Sequence, residues 1–146
     1  MADMSINTIE LHKKVEEAIE RAERNTSAEL RVHIEEKCGE DPLDRASYIF
    51  EKLEMHKTAD RNGVLIYVAF GDRKLAIIGD VGIHRHVAPN TWETIKDSMS
   101  RDFSSGNYER GLCHAVETVG EHLKHFFPYQ HDDRNELSNS VSTHSY

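Results

Sequence analysis

Val64-Leu65-Ile66-Tyr67-Val68-Ala69-Phe70 is the stretch on which the fold turns. Its apolar side chains occupy both faces of an extended chain, which predicts a central strand covered on both sides. The run is far too short to cross a bilayer. Gly71-Asp72 follows as a hairpin turn pair, and Arg73 to Gly79 returns as an antiparallel strand. Upstream, Glu29-Leu30-Arg31-Val32-His33-Ile34-Glu35 alternates strictly. Leu30, Val32 and Ile34 fall on one face and the charged residues on the other, the pattern of a half-buried strand. Between these two strands Asp41 suits a helix N-cap, Pro42 the first helical position and Asp44 the anion-favouring first turn. Ala46, Ile49, Phe50 and Leu53 continue as a core stripe, and the helix runs out near Met55. Strand, helix, strand predicts a right-handed parallel crossover, and the hairpin makes the sheet mixed.

Helical periodicity surrounds this nucleus. Ile6, Ile9, Val15, Ala18, Ile19 and Ala22 place an amphipathic helix over about Ser5 to Arg24, ended by Asn25-Thr26-Ser27. Pro89-Asn90-Thr91 opens another helix, with Trp92, Ile95 and Met99 inward. Phe103-Ser104-Ser105-Gly106-Asn107 reads as a loop. Leu112, Ala115, Val116, Val119 and Leu123 define a last long helix that Pro128 terminates. Four helices around a mixed sheet make an α/β sandwich, with room for a fourth strand that the pattern does not locate. From Gln130 onward the chain offers Ser, Asn, His and Asp with little to bury. The expected organisation is one domain over residues 1–128 and a flexible polar tail over 129–146.

Charged residues make up 30% of the 146 and apolar ones 38%, a balance that supports a packed core. With 26 acidic and 18 basic side chains the formal charge is −8. That sign disfavours nucleic acid or an anionic membrane as partner, because both repel a net-negative surface. Cys38 and Cys113 stand far apart, in no metal-ligand spacing, and read as free thiols of a reducing compartment. No basic segment followed by an apolar run opens the sequence, so cytoplasmic residence is expected.

The crossover brings separate segments to one sheet edge. The starts of the first two strands and the end of the third gather Ser27, Glu29, the Thr58 to Asn62 loop and Asp80-Val81-Gly82. Glu29, Asp60 and Asp80 are carboxylates, Asn62 adds a carbonyl and Gly82 permits close backbone approach. Hard oxygen donors of this kind suit Ca²⁺ or Mg²⁺. Arg61 is a rival cation for the same acids. The same residues also serve as a solvated strand residue, a surface ion pair and a turn-former. The opposite edge offers Glu35, Glu36, Glu40, Asp41 and Asp72, where parallel strands commonly place ligands. His84-Arg85-His86 has the residue type of a transition-metal pair but no third ligand at ligand spacing. His122 and His125 read as helix C-terminal dipole partners. Trp92, Phe103 and Tyr108 read as core, and Cys113 as packing in the last helix. No phosphate loop, nucleophile elbow, dinucleotide fingerprint or zinc-protease motif occurs.

Several of these segments, in this order, resemble the TPM domain family. That family takes its name from a thylakoid lumen protein, a photosystem II repair factor and a modulator of acetylcholine receptors. The resemblance rests on Thr58-Ala59-Asp60-Arg61-Asn62-Gly63-Val64-Leu65-Ile66-Tyr67-Val68-Ala69, on Asp72-Arg73, and on Ile78-Gly79-Asp80-Val81-Gly82-Ile83. Ser27-Ala28-Glu29-Leu30-Arg31-Val32 resembles its first strand, and Phe103 to Leu112 its loop and the start of its last helix. The match covers roughly Ile6 to Pro128. It implies a three-layer α/β/α sandwich, divalent-cation binding as in some members, and acid phosphatase activity as reported for a plant member. The positions it transfers are Asn62, Asp72, Asp80 and Gly82. Many relatives carry a membrane segment or a Gly-rich tail, features this sequence lacks, so photosystem and receptor roles are not implied.

Residues and resemblance together lead to the expectation of a cation-binding domain, with Ca²⁺ or Mg²⁺ held by Glu29, Asp60, Asn62 and Asp80. A phosphatase-like hydrolase, with Arg61 clamping the phosphate, is the second reading; no side chain identifies itself as its nucleophile. The third is a non-catalytic module whose tail or sheet edge recruits an unidentified protein.

Overall fold

The computed structural model describes residues 8–129 and 141–142. Among them, α1 (Ile9–Glu23) leads into β1 (Glu29–Glu35), α2 (Pro42–Lys52) and a 3-10 turn (Met55–Lys57). Then come β2 (Gly63–Ala69), β3 (Lys74–Gly79), a short α3 (Val81–His84), α4 (Pro89–Ser104) and α5 (Tyr108–Phe126). The strand order is β1-β2-β3, with β1 and β2 parallel and β2 and β3 antiparallel, so the mixed sheet and its crossover are as expected.

Apolar spacing decides the layers. Leu30, Val32 and Ile34 of β1 and Val64, Ile66 and Val68 of β2 share one core with α1, α4 and α5. Leu65, Tyr67 and Ala69 face the other way, against Ala46 and Ile49 of α2 and Met55. The result is a three-layer α/β/α sandwich around a small sheet, and β2 is buried along its whole length. The expected inward residues of α4 and α5, including Trp92, Ile95, Met99, Leu112, Val116 and Leu123, are all buried.

Local chemistry sets the helix ends. Thr8, in extended conformation, accepts the Leu11 amide at 3.1 Å, so α1 begins at Ile9. The part of the expected helix before Thr8 lies outside the described residues. Asp41 caps α2 through the Leu43 amide at 2.8 Å with Pro42 at the first turn, as its sequence demands. α4 continues through Phe103 and Ser104, which sequence reading gave to a loop. Phe103, Phe70 and Tyr108 form a ring cluster with centroids 5.3–5.7 Å apart, so Phe103 and Tyr108 are half-buried rather than core. α3 is the helix that periodicity missed, because four residues are too few to show a period.

One expectation about the sheet is corrected. β1 is not half-buried: Glu29, His33 and Glu35 are as buried as the apolar residues between them. Alternation assigns the faces correctly, but the polar one is not a solvent face: Arg45 of α2 and Tyr67 of β2 meet Glu35 there, and Ser142 meets His33. Of the expected tail, Tyr129 is exposed, whereas Val141 and Ser142 pack on β1; the remainder lies outside the described residues. No helix among the described residues is long and apolar enough to cross a membrane.

Candidate functional site

The sheet register places Glu29 opposite Gly63 and Val64 opposite Gly79. The starts of β1 and β2 and the end of β3 therefore share one edge. Asp80 follows β3 there and caps α3 through the Val81 amide at 2.7 Å, while its own amide donates to the Gly63 carbonyl at 3.0 Å. Arg61 grips the same carboxylate with a two-pronged fork, Nε to Oδ2 at 2.7 Å and Nη2 to Oδ1 at 2.8 Å. Asp80 is buried, but the Arg61 side chain is 49% exposed, so this cation sits at the rim.

The loop before β2 is fixed to α3 by its backbone. Arg61 adopts a left-handed φ of 50° and its carbonyl accepts the Gly82 amide at 2.9 Å. A Cβ on Gly82 would stand 2.3 Å from the Asp60 carbonyl oxygen and 2.6 Å from that of Arg61, so only glycine allows this approach. Asn62 is buried, and its Nδ2 has no hydrogen-bond partner among the described residues; nor does the buried Ser27 Oγ. The two ends of an amide exchange by a half-turn, so the orphaned position of Asn62 can present a carbonyl oxygen instead.

Of the four residues expected to hold a metal, three gather here and one does not. Asp60, Asn62 and Asp80 belong to the loop and the cap joined through Gly82; Asp60 itself is exposed. Glu29 is on the far side of β2, and the Met55 methyl and the Phe50 ring lie over the intervening Gly63. Among the described residues, no group of three or more His, Cys, Asp or Glu side chains is arranged to hold a metal. A cleft of about 500 Å³ opens beside Asp80, lined among others by His56, Arg61 and His84.

The opposite edge is occupied by structural roles. Asp41 caps α2, and Asp72 Oδ2 accepts the Cys38 amide at 2.7 Å. Glu36 and Glu40 are exposed. His86 stacks on Phe126 and meets Phe127 edge-on, with centroids 5.5 and 5.4 Å away, while His84 lines the cleft beside Asp80. Both cysteines are free. Burial, reinforced by Glu109 and Glu117, pushes the Cys113 thiol up to about 11, which keeps it protonated and inert.

Sequence reading missed a buried polar network beneath α2. Glu35 accepts Arg45 Nε at 2.9 Å and Nη2 at 3.0 Å, and the Tyr67 hydroxyl donates to its Oε2. His33 stacks on Tyr67 with centroids 6.0 Å apart, and its Nε2 lies 3.3 Å from Glu35 Oε1. Burial lowers the His33 pKa below the usual value, although Glu35 pulls it the other way. Burial also raises that of Tyr67 well above the ordinary phenol. A signal existed in the sequence. A tyrosine in the middle of an otherwise apolar central strand needs a buried partner for its hydroxyl, and the polar face of β1 was the neighbour able to supply one.

A three-layer α/β domain whose sheet edge holds a loop and an acidic helix cap in backbone contact is the class that fold and site define. The chain belongs to the TPM domain family, which matches residues 8–122. It is similar to the BA42 protein of the psychrophilic bacterium Bizionia argentinensis. The two are 41% identical, the match covers 94% of each chain and the TM-score is 0.86. The N-terminal domain of the cg2496 protein from Corynebacterium glutamicum shares the fold at 12% identity, with a TM-score of 0.61 over 95% of this chain and 82% of that one. Among curated proteins, none matches.

Proposed function

We propose that this domain binds a divalent cation, Ca²⁺ or Mg²⁺, where the Asp60–Asn62 loop meets the Asp80 cap. The observation that carries this reading is the orphaned amide of the buried Asn62, in a loop pinned by its own carbonyls to the helix that Asp80 caps. Carboxylates, an amide carbonyl and backbone carbonyls are the donors that hard cations take. Glu29, across β2, is not among the ligands in this reading. Arg61 acts as the resident counter-ion: half exposed, it swings into water when a divalent ion takes its place on Asp80.

Thermal unfolding in millimolar Ca²⁺ or Mg²⁺ tests this. Stability should rise with ion concentration, by about 2.7 kcal/mol at a hundredfold excess over Kd. Arg61→Ala should strengthen the response, because it removes the competing cation, and Asp80→Asn should abolish it. Identical melting curves with and without both ions would sink the proposal.

The cleft beside Asp80 favours a second reading. His56, Arg61 and His84 supply nitrogen donors for a phosphoryl group, and a cation on Asp80 would polarise it. Metal-dependent turnover of an aryl phosphate that disappears in Asp80→Asn would support a phosphatase-like activity; turnover surviving that change would exclude this site.

A further inference from the structure

β1 is an edge strand, and an open edge normally presents unpaired amides and carbonyls to any passing chain. Here three of the outward groups, the Leu30 and Ile34 amides and the Val32 carbonyl, are individually occupied. Glu23 Oε2 accepts the Leu30 amide at 2.9 Å. The Ile34 amide donates to the Ser142 carbonyl at 2.9 Å, and the Ser142 amide donates back to the Val32 carbonyl at 3.2 Å, as a parallel bridge. The side chains are read as well. Ser142 Oγ lies 2.7 Å from His33 Nδ1, and Val141 is 9% exposed within the main core cluster. Glu16 Oε2 of α1 accepts the Val141 amide at 3.1 Å. Two residues thus engage two backbone groups, two side-chain partners and an apolar socket.

Chain length does not force this contact. Pro128 pairs with Thr26, and the segment must next reach His33, seven residues further along the chain, at most about 23 Å away. Residues 129–141 can span about 40 Å. With that surplus, the contacts hold the segment against β1 and the tether does not.

We propose that the outer edge of β1 is a peptide-binding site that accepts a parallel strand with an aliphatic residue followed by serine, occupied in cis by Val141–Ser142 and open to the same sequence in trans once that segment leaves. The strand backbone supplies affinity, while the Val141 socket and His33 Nδ1 supply selectivity, as in other strand-addition sites. The cis segment competes at a local concentration in the millimolar range, so it masks the site from a free peptide.

The test uses the full-length ¹⁵N-labelled chain carrying Val141→Asp, which places a charge in the socket, and a peptide copying residues 138–145. Hydrogen exchange at Ile34 should accelerate at least tenfold over wild type. The amide of His33, which strand alternation turns toward β2, should stay protected and report an intact sheet. The peptide should then shift the Val32 and Ile34 amides and the His33 ring saturably, at least tenfold more tightly than in the wild-type chain. A peptide carrying Val141→Asp should do neither. Ser142→Ala in the full chain, which leaves the socket filled, should give the smaller change of the same sign at His33 and Ile34. Unchanged Ile34 exchange in Val141→Asp would mean that the segment does not hold the edge. An exposed Ile34 with no saturable shifts from the peptide would overturn the site as a binding surface.

Discussion

Arg45→Ala is expected to cost about 3–5 kcal/mol, the range for removing one partner of a buried ion pair. The Glu35 carboxylate is 4% exposed and the Arg45 side chain 12%, so losing the fork leaves a largely buried carboxylate without its cation. Tyr67 and His33 remain beside Glu35, but one donated phenol hydrogen bond does not neutralise a buried negative charge. A loss of that size lowers Tm by about 10–20 °C in a domain of this length. It falls within the usual total stability of ~5–15 kcal/mol, so a folded population remains to be measured by urea denaturation. Two further results distinguish an electrostatic cause from lost packing. The deficit should shrink as the pH is lowered, because a protonated Glu35 leaves no charge stranded. Arg45→Lys should recover part of the loss, since an ammonium restores the charge without the planar fork. A deficit that is independent of pH and unaltered by lysine would point to packing alone.

Gly82→Ala should produce the second large effect. Helix propensity by itself favours alanine over glycine by ~0.5–1 kcal/mol, so a surface helix would gain from the change. Here the added Cβ meets the carbonyl oxygens of Asp60 and Arg61 at 2.3 and 2.6 Å. These are backbone atoms of a loop tied to β2, with no flexible side chain to swing aside. The expected outcome is a net loss toward the upper end of the ~1–3 kcal/mol typical of overpacking. The stabilisation by Ca²⁺ or Mg²⁺ should disappear with it, because the loop can no longer seat against α3. Gly39→Ala is the control: nothing lies within 4 Å of its Cβ position and its φ is not left-handed, so stability should hold or rise slightly. Equal behaviour of the two variants would remove the argument that the Gly82 contact joins loop and cap.

How much of this was legible beforehand follows from the range of each interaction. The apolar run from Val64 to Phe70, the alternation from Glu29 to Glu35 and the Asp41-Pro42 cap record local geometry. They determined the strands, the crossover and the mixed sheet, and the motifs around Asn62 and Asp80 determined the family. The sheet edge that collects Asp60, Asn62 and Asp80 followed from that topology, since parallel strands must begin together.

What the tertiary structure alone decided concerns partners distant in sequence. Periodicity shows which face of β1 is polar, but only the folded chain brings Arg45 of α2 and Tyr67 of β2 onto it, where Glu35, Arg45, Tyr67 and His33 must satisfy one another. Topology set Glu29 at the same edge as Asp80, with β2 between them and Met55 and Phe50 packed over Gly63 of that strand. Val141 and Ser142 lie in a stretch whose composition has too little apolar content to predict a contact, yet they fit an edge that β1 leaves open. Sequence patterns report the free energy of burying a face against water. They do not report which remote group supplies the hydrogen bonds once water has gone, because that depends on distances the folded chain alone creates.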